Sequence, residues 1–353
     1  MKSLYEQVAN LDLVIDRFDT TRYERAVSSD FTRVTTVVAL EGEGEVGRGE
    51  DVTYDTIEHD EFQADPPVVP STDVSTLDEF SNTLSDVDLF PHTEPDQSVY
   101  LNYRRWALES AALDLALRQA NTNLADVLHR SYDPVRFVFS TNLDDPHTGE
   151  DVFQWLERIP DLEFKLDVTP EWSDETIQRL STADVVRILD LKGQYEGTSV
   201  DQPADPTLYS RILHHFPASI IEDPALTEET SHLFDGHRSR VGWDYPIRDV
   251  ATIESLPWSP NWINIKPSRF GSVRNLFTAI EYCLTNGIGM YGGGQFELDV
   301  GREHLHTFAS MFYPTAPNDV APSEYNQRDI ADELPTSPLS PPERPMGLSW
   351  SRE

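Results

Sequence analysis

The chain has 353 residues and a formal net charge of −35, from 27 Lys+Arg against 62 Asp+Glu. A surplus of that size repels nucleic-acid phosphates and anionic lipid head groups, so nucleic-acid and membrane-surface partners are excluded. No run of about eighteen apolar residues occurs and the N-terminus lacks a basic start before an apolar stretch, which predicts a soluble, cytoplasmic chain; the single Cys283 excludes an internal disulfide or a multi-thiolate metal site.

Residues 10–55 read as short extended runs, with Arg33–Leu40 the clearest strand and the glycine-spaced stretch Glu41–Gly49 after it, a small antiparallel meander. Residues 56–100 are acidic and irregular. From about Asn102 to Arg130 the pattern is helical and Trp106–Arg118 is apolar on most faces, which predicts a helix wedged between two layers. It is expected to end near Ser131-Tyr-Asp-Pro134, because the residue before proline disfavours helix. After Pro134 strand and helix alternate. Strands are predicted at Val135–Ser140, Glu163–Val168, Val185–Asp190, Ser219–Glu222, Val241–Asp244, Trp262–Lys266 and Ile288–Tyr291. Helices are predicted in the intervals, among them Asp174–Leu180, Thr207–Phe216, Val273–Thr285 and Arg302–Phe312. Parallel βα units need this spacing, and seven strands are closer to a closed barrel than to an open doubly wound sheet. Residues 335–345 hold too many prolines for helix or central strand and predict an extended or disordered tail. The expected division is 1–133, 134–330 and a Pro-rich tail 331–353.

Only four basic residues are lysine, Lys2, Lys165, Lys192 and Lys266, against 23 arginines. A surface dense in carboxylate and nearly free of lysine suits a protein held soluble in concentrated salt, where screening removes self-repulsion. Each remaining lysine then needs a reason.

Active sites of βα barrels lie at the C-terminal ends of the strands. Those ends carry Lys165 and Asp167, then Asp190, Glu222, Asp244, Lys266 and the run Gly292-Gly-Gly294. Three carboxylates on adjacent strands repel one another unless a cation lies between them, and hard oxygen ligands suit Mg²⁺. A lysine on each side is placed to move a proton at a carbon next to a bound carboxylate.

The ordered set Ile220-Ile-Glu-Asp-Pro224, Gly242-Trp-Asp244, Asn264-Ile-Lys-Pro-Ser-Arg-Phe-Gly271 and Gly289-Met-Tyr-Gly-Gly-Gly-Gln-Phe-Glu297 resembles the enolase superfamily, in its mandelate racemase and muconate lactonizing branch. The stretch Ala112-Leu-Asp-Leu-Ala116 resembles the helix that precedes the barrel there. The resemblance implies an α/β fold, a modified TIM barrel (β/α)7β with an N-terminal α+β capping domain. It further implies Mg²⁺ held by Asp190, Glu222 and Asp244, with Lys266 as acid/base on one face of the substrate and Lys165 on the other. The expected activity is that of a lyase or isomerase that takes the proton α to a carboxylate through an enediolate, of the muconate-lactonizing or succinylbenzoate-synthase type. The alternatives are a sugar-acid dehydratase of the same superfamily and a non-catalytic metal- or ligand-binding relative. A small-molecule carboxylate is the expected partner, and a homo-oligomer is compatible with all of this.

Two positions depart from the family pattern. Its second strand usually ends Lys-x-Lys, where this chain has Lys165-Leu-Asp167, and its third strand continues to an asparagine where this chain has Lys192. Lys192 reads as a replacement acid, a carboxylate clamp or a solvated residue. Gly292 and Gly293 are expected to approach a substrate carboxylate, and Glu297 reads as a carboxylate that supports the residues lining the site, as one that faces substrate, or as a solvated one. The match of Gly42–Gly47 to a dinucleotide fingerprint is discounted, since no helix follows and Glu41, Glu43 and Glu45 repel a pyrophosphate. That hairpin reads as a capping loop over the substrate.

Overall fold

A computed structural model describes residues 2–27, 31–70, 74–198, 200–326 and 333–350. The N-terminal part runs α1 (Leu4–Val8), β1 (Arg17–Ala26), β2 (Thr32–Gly42), β3 (Glu45–Asp51), α2 (Thr56–Ala64), α3 (Leu77–Leu84), α4 (Val99–Gln119) and α5 (Leu124–Val127). The β-branched run of β2 buries Arg33–Val38 continuously, and β1, β2 and β3 pair antiparallel in that order. The glycine spacing of β3 has a packing reason. A Cβ at Gly47 would lie 2.2 Å from the Ala111 carbonyl oxygen, and one at Gly49 2.0 Å from that of Ala107, so two bare positions let α4 lie directly on the strand.

Helix α4 is buried on nearly all sides, and Trp106 meets Phe308 of the barrel at 5.9 Å between ring centroids. It ends at Gln119, earlier than the sequence predicts. Asn121 takes a left-handed φ of 52°, and Asn123 then caps α5 by accepting from the Asp126 amide. The acidic stretch read as irregular holds α2 and α3, each started by a side-chain cap, Asp55 on the Ile57 amide and Thr76 on the Glu79 amide.

The second part alternates β4 (Phe139–Thr141), α6 (Glu150–Arg158), β5 (Phe164–Asp167), α7 (Asp174–Ala183), β6 (Val186–Asp190), α8 (Pro206–His215), β7 (Ile220–Glu222), β8 (Val241–Trp243), α9 (Val250–Glu254), β9 (Trp262–Ile265), α10 (Pro267–Phe270), α11 (Val273–Asn286), β10 (Gly289–Gly292) and α12 (Val300–Phe312). The strands form one parallel seven-stranded sheet in chain order from β4 to β10. Its edges are joined through Asn318 and Asp319, which bridge Phe137 and Gly293 in parallel; Val138 N donates to the Asn318 carbonyl at 2.7 Å and Asp319 N to that of Gly292 at 2.8 Å. This eighth segment closes the curled sheet as the (β/α)7β expectation requires, yet the sequence reading stopped at seven strands.

The proline-rich tail is extended and packed in its described part, 333–350. Leu339 bridges Val135, Gly347 bridges Asn123, and Leu348 is fully buried. Residues 331–332 and 351–353 of the predicted tail, and 327–330 of the predicted barrel, lie outside the described residues. Among the described residues no helix is long and apolar enough to cross a membrane.

The two parts are clasped by buried charge. Glu50, next to last in β3, accepts from the amides of Leu298 at 2.6 Å and Gly301 at 2.8 Å and so caps α12, whose own Asp299 makes no side-chain cap. Arg33 of β2 donates to the carbonyls of Gln295 at 2.9 Å and Phe296 at 3.2 Å, holding the loop after β10. Contrary to the capping-loop expectation, the β2–β3 turn lies against Gln119 at the C-terminal end of α4, and it is the opposite end of the hairpin, through Tyr54, that reaches the site.

Candidate active site

Strand register sets the site. Asp167 of β5 is the register partner of Asp190 of β6, and Asp190 that of Glu222 of β7. Three carboxylates therefore stand side by side at one rim, a like-charge row that is unfavourable unless cations separate its members. Lys165 donates to Glu222 and lies 3.3 Å from Asp190 Oδ2 and 3.5 Å from Asp319 Oδ2. Lys192 Nζ lies 2.6 Å from Asp190 Oδ2 and 3.3 Å from Asp167 Oδ1. The order around the rim is Asp167, Lys192, Asp190, Lys165, Glu222, with charges alternating.

Asp244, just past β8, is held separately. Lys266 Nζ is 2.8 Å from its Oδ2, Arg269 Nη1 2.7 Å from its Oδ1, and the Tyr195 hydroxyl donates to Oδ2 at 3.1 Å. Glu222 Oε1 accepts from the Tyr291 hydroxyl at 2.5 Å and from Asn264 Nδ2 at 3.2 Å. Asp223, in a left-handed conformation with φ 47°, accepts from the amides of Asp244 at 2.9 Å and Tyr245 at 2.8 Å, which fixes the turn after β8.

Electrostatics divide these groups. Burial, reinforced by Asp190 and Asp244, pushes the Glu222 carboxyl well above the usual range, although Lys165 opposes it. Burial acts the same way on Asp190 and Asp244, but there the cations win: Lys192 and Lys165 hold Asp190 far below the ordinary value, and Arg269 and Lys266 do so for Asp244. Burial with Asp244 and Asp190 nearby lifts Asp223 to about 7. Among the three amines, burial lowers Lys266, whereas Lys165 and Lys192 are raised because neighbouring carboxylates outweigh burial.

A cavity of about 300 Å³ opens on this rim, lined by Asp167, Lys192 and Asp319 together with Ser140, Phe139, Gly294, Phe296, Arg302 and Tyr54. Arg302 pairs with Glu297 at 3.3 Å while its Nε has no hydrogen-bond partner among the described residues. A larger cavity of about 590 Å³ lies at the other end of the strands, among Ile220, Trp262 and Gly289. No strand-end carboxylate lines it, so the chemistry belongs to the smaller one.

The predicted residues thus converge, with differences in role. Lys192 is not a solvated residue but part of the rim. Asp167 lines the cavity and pairs with Lys192. Gly293 runs directly over the amine beneath it, since a Cβ there would lie 2.8 Å from Lys266 Cε and 2.5 Å from Asn264 Oδ1. Gly292 anchors the eighth segment by donating to Asn318 Oδ1 at 2.7 Å. Glu297 is buried, accepts from the Gln295 amide at 2.6 Å and faces neither solvent nor the cavity. Sequence reading passed over Arg269, Tyr291, Asn264, Asp319 and Arg302. Arg269 had a signal, since it lies three residues beyond Lys266 in a helical turn; Asp319 had none, because its strand is a pair of bridges.

The fit of Mg²⁺ can be tested on the donor set. Both oxygens of Asp190 are taken by Lys192, through its amide at 3.0 Å and its ammonium at 2.6 Å, and both oxygens of Glu222 and of Asp244 are likewise engaged. Among the described residues no three His, Cys, Asp or Glu side chains are arranged to hold a metal ion. The three predicted ligands gather, but around the chain's own cations, and in this arrangement they do not fit a divalent ion.

A family signature described as the C-terminal domain of DUF8230, a domain of unknown function, matches residues 131–327, and the corresponding N-terminal signature matches 6–127. The chain belongs to this family. An o-succinylbenzoate synthase of Geobacillus stearothermophilus is 25% identical over 243 residues, 65% of this chain, and the match spans 62% of that enzyme's length. Among solved structures, a muconate lactonizing enzyme is similar with a TM-score of 0.65 at 18% identity, over 95% of this chain and 96% of the other. A dipeptide epimerase from Methylococcus capsulatus, complexed with Mg ion, gives a TM-score of 0.65 at 16% identity, over 87% of this chain and 89% of the other. These likenesses show that this chain has the fold of the enolase superfamily.

Proposed function

We propose that this chain is an enzyme of the enolase-superfamily kind, a lyase or isomerase that removes the proton α to a substrate carboxylate through an enediolate. Loss of water in the manner of the succinylbenzoate synthases is the favoured reaction; cycloisomerisation and sugar-acid dehydration begin with the same step. The observation that carries this reading is the placement of lysine. Three of the chain's four lysines, Lys165, Lys192 and Lys266, meet at one rim, in a chain that elsewhere uses arginine. Arginine serves ion pairs as well as lysine does, but a guanidinium keeps its proton, whereas an ammonium that burial lowers, as at Lys266, can exchange one, so lysine at that position points to proton transfer.

The chain's own groups suffice for the roles assigned. Lys266, beside Asp244 and under Gly293, is the base. Lys192 and Arg302 line the cavity as cationic donors for substrate carboxylate, and Lys165, set against Glu222 and Asp190, is the second amine of the rim. Tyr54 and Phe296 offer apolar surface for the rest of the substrate. A second reading, a ligand-binding relative without turnover, draws on one observation: Lys165 and Lys266 do not themselves line the cavity.

The test is α-proton exchange in D₂O, followed by NMR across a panel of succinylbenzoate precursors, muconates and sugar acids in concentrated KCl. Lys266→Ala is expected to lower the exchange rate of the accepted acid by about 10²- to 10⁴-fold. Exchange that is unchanged in Lys266→Ala, or absent from the wild type across the panel, would sink the enzyme reading.

A further inference from the structure

We propose that the ammonium of Lys192 is the resident cation of this site, and that Asp190, Glu222 and Asp244 hold no divalent ion in the working protein. The inference rests on the proposed function only for the identity of the site. A row of carboxylates in register demands positive charge between its members, and that charge can come from solvent as a metal or from the chain as ammonium. Here it comes from the chain. Lys192 engages both oxygens of Asp190, by its amide at 3.0 Å and its Nζ at 2.6 Å, and the same Nζ reaches Asp167 at 3.3 Å.

The backbone is shaped for this contact. Lys192 has φ 52°, a left-handed conformation that L side chains with a Cβ rarely adopt, and the turn it makes folds the side chain back onto the carboxylate two residues earlier. The Tyr195 ring lies 5.1 Å from the same Nζ. Lys165 Nζ lies 3.3 Å from the same Oδ2 of Asp190 and also donates to Glu222, so a divalent ion bridging that oxygen and Glu222 would meet ammonium groups already seated there. The Asp167 carboxylate completes the exchange: the negative charge it brings to the end of β5 is matched by the positive charge at 192. Because Lys192 also lines the cavity, its ammonium is the group that meets a substrate carboxylate where a metal ion would otherwise do so.

The probe is Mn²⁺ alone, followed by the loss of its free-ion EPR signal on titration into the EDTA-treated full chain in concentrated KCl, which screens the surface carboxylates. Wild type is expected to take up no stoichiometric Mn²⁺ and to melt at the same temperature with EDTA or with excess Mg²⁺. Lys192→Asn and Lys192→Met, which vacate the ammonium, are expected to bind one equivalent of Mn²⁺ and to gain thermal stability from Mg²⁺. One equivalent bound by the wild type overturns the proposal, and so does a folded pair of variants that bind none. Should a variant fail to fold, the wild-type titration decides alone. Turnover enters none of these readouts, so their outcome is separate from that of the proton-exchange experiment.

Discussion

Buried titratable side chains here are either neutralised by a partner or kept uncharged by burial. The rim lysines are of the first kind and His306 is of the second. It lies buried on α12, its Nε2 donates to the Val320 carbonyl at 2.7 Å, and burial pushes its pKa down to about 4, with Arg302 and Glu303 as its charged neighbours. Since burial depresses the folded value, this position costs the fold nothing above the unfolded value of about 6.5, where the ring is neutral in both states, and it destabilises the fold progressively as pH falls toward 4. His306→Gln keeps a donor but does not titrate. The urea-derived stability of wild type relative to His306→Gln is expected to fall by about 2 kcal/mol between about pH 7.5 and about pH 5. A difference that stays constant over that range would show that His306 is not held neutral.

At the scale of elements, the packing of α4 on the cap sheet rests on two bare positions of β3. Gly47 and Gly49 admit α4 onto β3, and the obstacles to a Cβ are backbone atoms, at 2.2 Å for both the Ala111 oxygen and the Leu115 nitrogen, so neither can swing aside as a side chain would. Gly47→Ala must push the helix off the strand. It is expected to cost about 3 kcal/mol, read as a lower urea midpoint at unchanged m value. An unaltered midpoint would mean that α4 does not bear on β3 there. The same sheet carries Arg33 and Glu50 to the loop after β10 and so positions Phe296, at φ 59°, on the cavity wall. The glycines of β3 were legible as a peculiarity of sequence; their purpose was not, because it depends on a helix about sixty residues later.

For the molecule as a whole, charge is distributed by depth. The deficit of −35 is carried outside, while the rim cluster balances most of its carboxylates with Lys165, Lys192, Lys266 and Arg269 inside. Screening acts on exposed charge and hardly on buried pairs. The melting temperature is therefore expected to rise as KCl is increased from about 0.1 M to about 2 M, most steeply at the low end where the Debye length changes most. A flat or falling melting temperature would remove the reading of this composition as an adaptation to salt.

The sequence by itself determined the alternation of seven strands with helices, the wedged helix and the strand-end residues Lys165, Asp167, Asp190, Glu222, Asp244 and Lys266, because hydrophobic periodicity and strand-end position are local properties. It could not determine the eighth strand, since Asn318 and Asp319 are paired only by neighbours that the barrel brings to them. Nor could it decide what neutralises the carboxylates. Whether Lys192 faces water, substrate or Asp190 follows from one left-handed backbone angle and from the register of β5 against β6, and both are fixed only when the strands are packed together.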